Sequence, residues 1–165
     1  MPLLKKRNAM FLSSEQRNEK EQAYKTDTDP VLIFLDFHEE ALSCVTKGAN
    51  IAEAEGRDIV LLHGIDMRKY TVVERNDPTL RSQIISERTE WLRKFEHQLR
   101  QNGHHVRATD LTFKDPRKII SARYAPFIVV ALKRMHRSAK IQKSLSDILI
   151  EHPPSDMLIV HAQRS

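Results

Sequence analysis

Four short, nearly continuous apolar runs interrupt an otherwise polar chain: VLIFL at 31–35, IVLLH at 59–63, FIVVA at 127–131 and MLIVH at 157–161. Runs of this length, rich in β-branched residues and without polar alternation, mark strands buried on both faces. A weaker run at 104–111 predicts a further strand with Val106, Ala108 and Leu111 pointing inward. Its polar neighbours place it at a sheet edge.

The segments between these runs have helical spacing. Ala41, Leu42, Val45, Ala49 and Ala52 share one side of a predicted helix at 39–55, and Gly56 sits where a C-cap glycine belongs. Ile84, Ile85, Trp91, Leu92, Phe95 and Leu99 mark the apolar side of a longer helix at 80–101, ended by Asn102-Gly103. Trp91 and Phe95 lie at an i, i+4 spacing and read as core packing. Residues 64–79 read as a connection broken at Asn76-Asp77-Pro78. Asp115-Pro116 opens a short helix, with aspartate as N-cap, proline in the first turn, and Ile119, Ile120 and Ala122 as its apolar contact. The last helix is expected at 139–151 with Ser138 as its N-cap.

Strands alternating with helix-length crossovers imply an α/β protein: one doubly wound, mainly parallel five-stranded sheet with helices on both faces. Residues 1–30 are polar after Phe11 and Leu12 and lack sustained periodicity. They are expected to form a flexible N-terminal extension, with Asp29-Pro30 as the boundary of a single domain at 31–165.

Composition narrows the class. A chain of 165 residues with 40% apolar and 30% charged positions suits one globular domain with a real core. The net charge of +5 arises from 27 basic and 22 acidic residues that are interspersed, which is not a nucleic-acid signature. No apolar run approaches the ~18 residues of a membrane span. Lys5, Lys6 and Arg7 precede too short an apolar stretch for an export signal. The single cysteine, Cys44, excludes an internal disulfide and reads as a buried structural thiol in a reducing, cytoplasmic setting.

In this order and spacing, several motifs resemble the universal stress protein family over roughly residues 31–162. They are VLIFLDFHEEALSCVTKGANIAEAEG at 31–56, a strand ending in aspartate and followed by an Ala/Glu-rich helix; IVLLH at 59–63; Lys114-Asp115-Pro116; and His152-Pro153-Pro154 before SDMLIVHA. The resemblance implies a sheet order of 3-2-1-4-5 and a homodimer paired through the final strand, Met157, Leu158, Ile159, Val160 and His161. Nucleotide-binding members carry Gly-x2-Gly-x9-Gly-(Ser/Thr) after the fourth strand. Here those positions fall on Leu132, Met135 and Lys143, followed by Ser144, in a loop shorter by about two residues. Side chains there would crowd a backbone cradle for phosphate. The resemblance therefore points to the branch without the glycine-rich ATP motif. No cofactor is expected, and ATP or AMP is disfavoured.

The candidate chemistry sits at the carboxyl ends of the strands, where open α/β sheets bind ligands. Asp36 follows the first strand, and the resemblance places it near an adenosine; its plain structural role is to cap the next helix. Lys133, Arg134, Arg137, Lys140 and Lys143 form a basic loop without acidic residues, supplemented by Ser138 and Ser144. That loop reads either as a solvated rim or as a side-chain anion site. Of the eight histidines, His38, His63 and His136 are those placed to converge near the strand ends, but no metal-binding spacing is present. With only four glycines there is no Walker loop, nucleophile elbow or dinucleotide fingerprint, so no catalytic residue is assigned. The expectation is a non-enzymatic, stress-response regulator working as a dimer through unidentified protein partners. The alternative is a regulator that holds a nucleotide or another phosphorylated anion through the basic loop.

Overall fold

The computed structural model describes residues 28–134 and 143–162. Its centre is a five-stranded sheet of order β3-β2-β1-β4-β5, with every neighbouring pair parallel. The strands are β1 (Val31–Leu35), β2 (Ile59–Gly64), β3 (Val106–Thr112), β4 (Ile128–Lys133) and β5 (Met157–His161). The expected topology is present.

The apolar runs explain why β1 is central. All five of its residues are at most 1% exposed, and β2 is buried along its whole length. Alternate residues supply two cores. Ile33, Leu35, Leu61, Val130 and Leu132 pack on one face beneath α1 (Ala41–Glu55) and α3 (Pro78–Gln101). Leu32, Phe34, Val60, Leu62 and Ala131 pack on the other beneath Ile120 and α5 (Leu145–Glu151). Each fully buried aliphatic or aromatic side chain contributes about 1.5–3 kcal/mol. Together these layers hold the sheet.

Gly48 lets α1 lie close on the sheet, since a Cβ there would stand 2.5 Å from the side chain of Ile33. Gly56 closes α1 in the left-handed conformation, with φ of 61°, as expected of a C-cap. Leu42 departs from its expected place and is 48% exposed. Cys44, Gly48 and Ala49 fill that face instead, because the close approach of α1 leaves room only for small side chains.

Four further expectations are corrected. Residues 64–79 are not a plain connection: a 3-10 turn (Met67–Lys69) and a short helix, α2 (Val72–Asn76), lie within them. α2 is too short for periodicity to reveal, and its signal is the capping box of Thr71 and Glu74. In β3, Val106 pairs with Ile59 but Ala108 pairs with Val60, so Arg107 is an extra, bulged residue. The bulge puts Val106 and Ala108 on opposite faces, which strict alternation cannot anticipate. Ala122 is exposed, because α4 (Pro116–Ile119) widens into a π turn (Ile120–Tyr124) and Tyr124 takes the inner position. Finally, residues 143 and 144, expected inside the last helix, precede it: the helix described is Leu145–Glu151, capped by Ser144, and Ser138 lies outside the described residues. Ser144 and Asp147 form a reciprocal capping box at its first turn.

Of the expected N-terminal extension, 1–27 lies outside the described residues. The chain enters the sheet under two arginines. Arg107 donates to the carbonyl of Thr28 and Arg57 to that of Asp29, each at 2.9 Å. Arg107 is itself held by the buried carboxylate of Asp58, which also meets His105.

Candidate functional site

The strand order reverses between β1 and β4, and a cleft of about 200 Å³ opens at their carboxyl ends. Asp36, Phe37, Gly64, Lys69, Tyr70, Arg88 and Arg134 contribute to its walls. β1 ends at Leu35 and delivers Asp36 directly to the cleft. Asp36 is 7% exposed, and its Oδ2 is buried without a hydrogen-bond partner. The N-cap position of α1 belongs to Glu40, and no side chain caps that helix. The simple capping role for Asp36 is thus not the one it plays.

Arg134 enters from the end of β4. Its Nη2 donates to the carbonyl of Phe37 at 3.1 Å, which ties the two sides of the switch point together. Its Nε is buried without a partner. Arg88 reaches in from α3. Its guanidinium lies 3.5 Å over the Phe37 ring, and Nη2 donates to the Tyr70 hydroxyl at 3.1 Å. Nε and Nη1 of Arg88 are buried and unpartnered.

The aromatic surround makes this arrangement firm. Phe37 packs edge-on against Trp91 at 5.1 Å, and Trp91 packs likewise against Phe95. His63 lies 4.9 Å from Trp91, and burial lowers its pKa to about 4, so the ring is neutral near pH 7. Trp91 and Phe95 are packing residues, as the spacing indicates, and through Phe37 they also support Arg88.

The charge balance of the cleft is positive. Asp66 is engaged by Arg68 at 2.7 Å, and that pairing holds its carboxyl below the usual range. Asp36 then stands against Lys69, Arg88 and Arg134. Among the described residues two cations remain in excess, in a setting where buried donors lack acceptors. Chemically, the cleft can accept an anion and, at Asp36, a hydroxyl or amino donor.

The sequence-derived candidates divide. Asp36 and Arg134 come together. Lys133 is exposed at the end of β4 and is not part of the cleft wall. Ser144 has its hydroxyl engaged by the Asp147 amide. Lys143 pairs with Glu151 at 2.6 Å, while its carbonyl accepts from Arg68. Leu132, read as a loop position, belongs to β4 and is 2% exposed in the core. Met135, His136, Arg137, Ser138 and Lys140 lie outside the described residues. His38 accepts the Glu40 amide and His63 is core, so these two do not form a ligand set. Among the described residues, no group of metal-ligating side chains is assembled. No helix among them is long and apolar enough to cross a membrane.

Phe37, Lys69, Tyr70 and Arg88 escaped the sequence reading. Arg88 carried a signal. It falls between Ile84, Ile85 and Trp91, as a charge set into the apolar stripe of α3. Phe37 and Tyr70 stand outside helices and strands and Lys69 in a single 3-10 turn, where periodicity is silent.

No family model matches the sequence, and no curated protein matches it. Solved structures do resemble it. The hypothetical protein MJ0577 superposes with a TM-score of 0.65 at 19% identity, covering 85% of this chain and 100% of that one. UspA from Lactobacillus plantarum superposes at 0.60 and 14% identity, covering 82% and 99%. A universal stress protein from Archaeoglobus fulgidus, in complex with dAMP, superposes at 0.56 and 12% identity, covering 81% and 98%. At such identities the likeness is one of fold, and the chain has the α/β fold of the universal stress proteins.

Proposed function

We propose that this chain is a non-enzymatic, cytoplasmic regulator of universal-stress-protein type, acting as a homodimer through contacts with other proteins. The observation that carries this reading is β5. It lies at the sheet edge, Leu158 and Val160 pack inward, and Ile159 is 37% exposed. Met157, Leu158, Ile159, Val160 and His161 include no proline, lysine or glutamate to blunt the edge. Two copies of such a strand pair in self-complementary fashion about a two-fold axis. Sedimentation at micromolar concentration tests this. A dimer is expected, weakened by Ile159→Lys, whereas a concentration-independent monomer would remove the main support for the reading.

A second reading has its own observation: the unpartnered guanidinium nitrogens of Arg88 and Arg134 in the cleft. They favour a regulator that holds a nucleotide or another phosphorylated anion, and one structure of the same fold is a complex with dAMP. ATP itself is disfavoured for want of a glycine cradle. Calorimetry with ATP and AMP tests the point. A low-micromolar dissociation constant for ATP, about 8 kcal/mol, would overturn the preference for protein contacts as the primary function.

A further inference from the structure

We propose that Arg88 is the anion receptor of the cleft and that its ligand is a small phosphorylated hydroxy compound, of sugar-phosphate size, bound with phosphate on Arg88 and Lys69 and a hydroxyl on Asp36. This deepens the ligand-binding reading and rests on it.

Arg88 is the charged interruption in the apolar stripe of α3. A guanidinium on a packing face is costly unless its donors are satisfied. Several other arginines pair with carboxylates, Arg68 with Asp66, Arg100 with Glu96, Arg107 with Asp58 and Arg117 with Asp115, while Arg57 and Arg134 bond to backbone carbonyls. Arg88 has no carboxylate within ion-pair distance among the described residues. It is instead held in place by the face of Phe37 and the hydroxyl of Tyr70, with Nε and Nη1 left over. A planar donor group fixed in this way loses little freedom on binding an oxyanion. Each arginine commits one amino group to the frame, but Arg134 leaves only Nε buried and unpartnered where Arg88 leaves Nε and Nη1.

Charge and size set the class of ligand. The two cations in excess match a phosphate, which carries about −1.5 to −2 near neutral pH, better than a carboxylate. In the same cleft, Asp36 Oδ2 is a buried acceptor in need of a donor, which a sugar hydroxyl supplies. The volume of about 200 Å³ is below the ~300–1,000 Å³ of pockets that hold drug-sized molecules. A sugar phosphate is of a size with that space.

The test is calorimetric titration of the full chain with ribose 5-phosphate, ribose and inorganic phosphate. Ribose 5-phosphate should bind more tightly than either fragment. Arg88→Gln should weaken it about tenfold or more, and the exposed Lys69→Met should weaken it by a smaller factor. Arg134→Gln should leave most of the affinity. If Arg134→Gln abolishes binding and Arg88→Gln does not, the anion sits at the β4 loop: this inference falls and the ligand-binding reading survives. If the wild type binds neither ribose 5-phosphate nor phosphate at about 10 mM, both fall. Should Arg88→Gln fail to fold, the Arg88 Nε–H resonance of the wild type decides. A shift on addition of ribose 5-phosphate supports the assignment, and an unmoved resonance overturns it.

Discussion

His63 donates its Nδ1 proton to the carbonyl of Leu35 across 2.5 Å, joining β2 to β1 at their carboxyl ends. The two residues are register partners in the parallel ladder. A carbonyl can only accept, so this contact fixes the tautomer and leaves Nε2 without a proton. Nε2 is buried and unpartnered. The ring is thus a neutral component of the core, within reach of the Arg88 charge, which further disfavours its protonation.

That relationship predicts acid sensitivity. The unfolded imidazole titrates near 6.5, and burial lowers the folded value to about 4. Between those values the unfolded chain holds a proton that the folded chain refuses, so stability falls as pH drops through this window. The full loss approaches about 3 kcal/mol. Urea denaturation at pH 7 and pH 5 should show it, and His63→Gln should flatten the dependence. An unchanged slope in that variant would assign the acid sensitivity elsewhere.

Gly48→Ala should destabilise the fold although it lies within a helix. A methyl there would stand 2.5 Å from two atoms of the fully buried Ile33. Overpacking costs about 1–3 kcal/mol, and improved helix propensity offsets up to about 1. A net loss of roughly 1–2 kcal/mol is expected in thermal or chemical unfolding. A more stable variant would mean that α1 lies further from β1.

Ser144→Ala separates capping from ligand binding. The Ser144 hydroxyl accepts the Asp147 amide. Its loss should cost about 1 kcal/mol of stability and leave phosphate affinity unchanged. A drop in affinity without a drop in stability would return Ser144 to the list of ligand contacts.

Cys44 should be inert in the native protein. Burial, aided by the nearby negative charge of Asp36, pushes the thiol pKa up to about 12. A disulfide reagent at pH 8 should modify it only as fast as the protein opens, and at once in denaturant. Rapid modification of the folded chain would contradict its placement on the buried face of α1.

Much of the architecture was legible because it is written in local patterns. The runs at Val31–Leu35 and Ile59–Gly64 are apolar throughout, which only a doubly covered strand requires, and crossovers of helix length dictate parallel pairing. Gly56 and Asp115-Pro116 announced their caps through backbone chemistry that does not depend on the rest of the fold. The β3 bulge at Arg107 was hidden, since an inserted residue changes face without changing composition. So was the start of the last helix, where Ser138 and Ser144 are equally good caps as letters and only Asp147 beside Ser144 completes the reciprocal pair.

The cleft shows the same division more sharply. Asp36 and Arg134 follow strand ends, so the sequence alone could place them at the carboxyl edge of the sheet. Arg88, Tyr70 and Phe37 come from a long helix, a loop and a strand exit, and they meet only when α3 packs across β2 and β3. Local propensity acts over a few residues and determines which segments are strands and helices. The meeting of distant side chains, and the buried donors left unpaired among them, is decided by how those segments close over one another, because desolvation is a property of the assembled layers.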